Sequence, residues 1–142
     1  MIAVVAAFAI LSQATPPEPA WTWTLYADDA PVVLANEVPD TPNLRVTLEC
    51  DPGSSVARVT LYGSATAGGM ARAAAGDASA VTPAESGRDG SLKLALRADH
   101  PVFAAFATDG RMSVTVAEQR RSVEVSRPHL AKLRRFAELC SG

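Results

Sequence analysis

The chain has 142 residues, of which 48% are hydrophobic and 20% charged, and a formal net charge of −2. That length suits one domain, and the apolar content separates it from disordered chains. The mildly acidic balance argues against a general nucleic-acid binder, which is normally strongly basic.

From the amino-terminal end, Ile2 to Leu11 form an uninterrupted apolar run, followed by Ser12-Gln13-Ala14. Ten residues span about 15 Å as a helix, half the hydrocarbon core of a bilayer, so no membrane span is expected in the mature chain. The pattern predicts a signal peptide over 1–14, with cleavage near Ala14 after the small residues of Ser12-x-Ala14. No Lys or Arg precedes the run, which departs from the usual signal. The other reading is a first strand or buried helix of a cytosolic protein. Residues 15–20 hold Pro16, Pro17 and Pro19 and are expected to be extended.

The remaining 21–142 read as a single β-rich domain. Trp21, Trp23 and Leu25 alternate with Thr22 and Thr24, a strand signature ended by Asp28-Asp29-Ala30-Pro31. Val32 to Ala35 form a short second strand. Leu44, Val46, Leu48 and Cys50 then alternate with Arg45, Thr47 and Glu49, giving one buried and one wet face. Asp51-Pro52-Gly53-Ser54 carries turn chemistry, and Ala57, Val59 and Leu61 return as the second arm of a hairpin. Residues 63–91, rich in Gly, Ala and Ser, are either small-residue strands or a loop. A 29-residue loop would be unusual in a compact domain, so at least one strand is expected there.

Leu92, Leu94 and Leu96 mark a further strand. Asp99-His100-Pro101 opens a short helix capped by Asp99 and closed by Gly110. Residues 112–116 and 122–125 form a second hairpin. The chain ends in a helix from Ser126, with Leu130, Leu133, Phe136, Ala137 and Cys140 on one face. The sum is a mainly β fold: an antiparallel β-sandwich or open barrel with one short internal helix and a C-terminal helix. Its core is expected to be modest, because 27 residues are Ala and only 6% are aromatic.

Two cysteines in an exported chain read as one disulfide, Cys50–Cys140. Closing so long a loop stabilises by about 4–5 kcal/mol on the chain-entropy model. Buried free thiols are the alternative, and a redox pair lacks its C-x-x-C spacing.

A Trp-containing first strand, Leu48-x-Cys50, Asp99-x-Pro101-Val102-Phe103, Gly110-Arg111-Met112-Ser113-Val114 and a final Phe136-x-x-x-Cys140 resemble a group of small exported alphaproteobacterial proteins of unknown function, over most of residues 21–140. The resemblance implies export and cysteine pairing, and no activity.

No catalytic, cofactor or metal motif is present. Gly68-Gly69 matches no phosphate-binding loop, and two Cys with distant His100 and His129 lack zinc-ligand spacing. Asp28, Asp29 and Asp51 match no calcium loop. The expected function is therefore a non-catalytic periplasmic or secreted binding or accessory module. Its partner would be an envelope protein or another periplasmic macromolecule. Candidate binding residues are Trp21 and Trp23, which share a strand face, and Arg134 and Arg135 on the locally basic final helix. The alternative is a small periplasmic hydrolase using His100 or His129 with a carboxylate.

Overall fold

The computed structural model describes residues 20–64 and 67–142. The expected leader, its cleavage position and most of the Pro-rich segment lie outside the described residues.

Nine strands and two helices follow one another among the described residues. They are β1 (Thr22–Tyr26), β2 (Val32–Glu37), β3 (Leu44–Cys50), β4 (Val56–Leu61), β5 (Gly69–Ala75), β6 (Ala78–Ser86), β7 (Leu92–Arg97), α1 (Pro101–Asp109), β8 (Arg111–Val116), β9 (Gln119–Glu124) and α2 (Leu130–Cys140). A 3-10 turn, Arg127–His129, leads into α2. All strands join one antiparallel sheet in the order β1-β2-β3-β4-β7-β6-β5-β8-β9. Of the two architectures expected, the chain takes the open barrel: one sheet curled into a half-barrel, not two stacked sheets.

The period-two patterning explains the curl. Val46, Leu48 and Cys50 of β3 and Ala57, Val59 and Leu61 of β4 are buried on the concave side. Leu48 lies directly opposite Val59, so the two apolar sets share one face. Leu92, Leu94 and Leu96 of β7 continue the same surface. Each fully buried Val or Leu contributes about 1.5–3 kcal/mol. Residues 63–91 supply two strands, β5 and β6, which pair from Gly69↔Ala84 to Ala75↔Ala78. Their inward positions are almost all alanine: Ala71, Ala73, Ala75, Ala78, Ala80 and Ala84.

The helices fill what these small side chains leave. α1 packs on β5, β6 and β8, and α2 packs on β1 and β2. Phe103 and Phe106 of α1 and Phe136 of α2 are fully buried. Phe103 meets Phe106 edge-to-face at 5.9 Å and Phe136 at 6.3 Å.

The cap of α1 departs from expectation. His100, rather than Asp99, is the N-cap, and its Nδ1 accepts from the Val102 N–H at 3.0 Å. Asp99 turns back to Arg97 instead, with both carboxylate oxygens 2.8 Å from the guanidinium. A bidentate pair of this kind outcompetes a single cap bond for the carboxylate. Ser126 likewise caps only the 3-10 turn, and without a side-chain bond.

Cys50 and Cys140 form the expected disulfide, with a Cα–Cα distance of 5.8 Å and a sequence separation of 90. The backbone reinforces it: Gly53 N–H donates to Leu139 O at 3.0 Å and Ser55 N–H to Cys140 O at 2.7 Å. The 51–55 turn and the last turn of α2 are thus one unit. Among the described residues, no helix is long and apolar enough to cross a membrane.

Candidate functional site: a cleft at the open seam

A half-barrel has two ends, and here they nearly meet. β1 and β9 close the sheet order on opposite sides without a ladder between them. Side chains bridge the seam instead. The Trp23 indole N–H donates to Glu124 O at 3.1 Å, and Lys132 Nζ of α2 donates to Trp23 O at 2.7 Å. Both carbonyls lie on edge strands that have no ladder partner on the seam side, so these bonds satisfy groups that would otherwise need water.

Beside this bridge lies a cleft of about 800 Å³. Trp21 and Trp23 stand on one side with Asn36 of β2. Asp109, Arg111 and Glu124 stand on another, and Arg127 and His129 come from the 3-10 turn. Trp23 lies in β1 and Trp21 directly precedes that strand; both line the cleft. Their environments differ. Trp23 is 4% exposed and forms the floor, whereas Trp21 is half-buried at the mouth. The Arg45 guanidinium carbon lies 3.9 Å from the centre of the Trp21 ring, a cation–π contact that fixes the indole.

Gly110 shapes the base. It caps α1 in the left-handed region at φ 76°, and its N–H donates to Phe106 O at 2.7 Å. A Cβ there would lie 2.4 Å from Val125 O and 2.7 Å from Leu130 Cδ2. Only glycine lets β8 start this close to the end of β9.

The two histidines divide the chemistry. His100 is committed to its helix cap. His129 lines the cleft, and burial together with the positive charge of Lys132 pushes its pKa below the usual histidine value. Its Nδ1 is buried without a hydrogen-bond partner among the described residues. Neither histidine is hydrogen-bonded to a carboxylate there, and no cluster of three His, Cys, Asp or Glu side chains forms a metal site among those residues.

The structure brings Trp21, Trp23 and His129 together and leaves the other candidates elsewhere. Arg134 and Arg135 are exposed on α2; Arg134 approaches Thr108 O at 3.5 Å and Arg135 pairs with Glu138 at 3.2 Å. Asn36, Arg111, Glu124 and Arg127 were missed by sequence reading. The signal present was the cross-strand opposition of Arg111 to Glu124, which needs the β8–β9 register before it can be seen. Compared with protein-family models, curated proteins and solved structures, the chain has no match, so the site is read from its own residues.

Proposed function

We propose that this chain is an exported, non-catalytic binding module that holds its ligand in the cleft between β1 and the start of α2. The observation that carries this reading is the make-up of the cleft: an indole held by Arg45 beside arginines and carboxylates that form no ion pair among the described residues. Convergent polar groups around a concave, partly aromatic surface are the usual form of a ligand site. The Cys50–Cys140 disulfide supports an oxidising compartment, where such bonds persist. Export followed by removal of residues 1–14 would deliver the domain to the periplasm or the medium, where its partner is an envelope component.

Affinity capture tests the reading. The oxidised domain and its Trp21→Ala variant are immobilised and exposed to periplasmic and envelope extracts, and eluates are assayed for protein and for carbohydrate. A component retained by the wild type and lost with Trp21→Ala is the expected result. Identical eluates from both columns would overturn it.

A further inference from the structure

We infer that the ligand of the seam cleft is a glycan, one pyranose ring of which stacks on Trp21. The inference rests on the binding-module reading and adds the chemical class of the ligand.

Four features lead there. First, the half-buried Trp21 lines the cleft, and the Arg45 guanidinium lies against its ring and holds it. The electron-rich face of an indole suits the weakly positive C–H groups along one side of a sugar ring. Second, the neighbouring polar groups are unspent. Arg111, Arg127, Asp109 and Glu124 belong to none of the ion pairs found among the described residues, although Arg111 lies directly opposite Glu124 on the β8–β9 ladder. Asn36 donates through Nδ2 to Thr22 O at 3.2 Å, which leaves its Oδ1 available as an acceptor.

Third, the donors and acceptors are balanced. Two arginines and two acidic residues, Arg111, Arg127, Asp109 and Glu124, line one cleft. A hydroxyl both donates and accepts, so a polyhydroxylated ring can satisfy both kinds. A phosphodiester only accepts, and would be repelled by Asp109 and Glu124; an acidic peptide meets the same repulsion. Fourth, an extended peptide would find two carbonyls of the seam already engaged. Glu124 O already receives Trp23 Nε1, and Trp23 O already receives Lys132 Nζ. Strand addition needs those edge carbonyls.

Calorimetric titration and tryptophan fluorescence test the inference with five probes: cellohexaose, chitohexaose, mannohexaose, an oligothymidylate of eight nucleotides and an octaglutamate peptide. At least one oligosaccharide is expected to bind. Trp21→Ala should weaken it about tenfold, equivalent to about 1.4 kcal/mol, and Trp21→Tyr, which keeps a flat ring, should recover part of the loss. Thermal melting of both variants verifies folding. Binding of the oligonucleotide or the peptide through Trp21, with no oligosaccharide bound, would overturn the glycan class and leave the binding module standing. If no probe binds, the composition of the Trp21-dependent eluate decides: carbohydrate supports the inference and protein alone overturns it. An eluate with no Trp21-dependent component defeats the binding reading itself.

Discussion

The sheet has two halves built on different scales. Strands β2, β3, β4 and β7 turn Val32, Leu34, Val46, Leu48, Val59, Leu61, Leu92, Leu94 and Leu96 inward, whereas β5 and β6 turn almost nothing but alanine inward. The interior is nonetheless filled, because the phenylalanines of α1 lie over the alanine strands. Volume is shared between layers: where the strand is thin, the helix is thick. An alanine-rich stretch is therefore no sign of a weak region until the element covering it is known.

The comparison can be pressed hardest by removing the tether at the large-residue half. A Cys50→Ala/Cys140→Ala double variant should lose about 4–5 kcal/mol, as expected for a loop of this length, measured by urea unfolding against the oxidised wild type. Next, Leu48→Ala opens a cavity among Leu34, Val59 and their neighbours and should cost about 2–5 kcal/mol. The mirror experiment is Ala73→Leu. If α1 fills the space above β5, the added side chain must displace it and should cost about 1–3 kcal/mol. An unchanged or raised stability would show that the alanine half is underpacked, and the comparison would fail.

A smaller effect comes from the seam that joins the two ends of the sheet. The pKa of His129 is lowered in the folded chain, so unfolding is accompanied by proton uptake as pH falls below the unfolded value near 6.5. The stabilisation is complete above that pH and declines as pH drops toward the folded value. Stability measured from pH 8 to pH 5 should therefore fall more steeply for the wild type than for His129→Gln. The smallest change is Val81→Ser on the outer face of β6, where the side chain is 63% exposed; thermal unfolding should move by no more than about 0.5 kcal/mol.

Which of these features could be read from the sequence follows from the range of the forces involved. The Leu44–Cys50 and Ala57–Leu61 hairpin, the Leu92–Leu96 strand and the final helix declare themselves by local periodicity, and the observed strands agree within a residue or two. β5 and β6 do not, because alanine has little preference for either face; they are fixed by α1, distant in sequence. The helix cap was misplaced by one residue because Arg97 competes for Asp99. The cleft was half visible. Trp21 and Trp23 stand out in the sequence, but Asn36, Arg111, Glu124 and Arg127 gather only after nine strands curl and two ends of a sheet meet.

The disulfide also divides the chain mechanically. Everything from Cys50 to Cys140 is one covalent ring, and β1, β2 and most of β3 hang from it as a tail. A machine that threads the protein from its amino-terminal end would strip away Trp21, Trp23 and Asn36 at once, then stall where two strands must pass abreast. The cleft is therefore split: Trp21, Trp23 and Asn36 sit on the part that can be peeled off and laid back, while Arg111, Glu124, Arg127 and His129 stay on the ring, the template on which it re-forms.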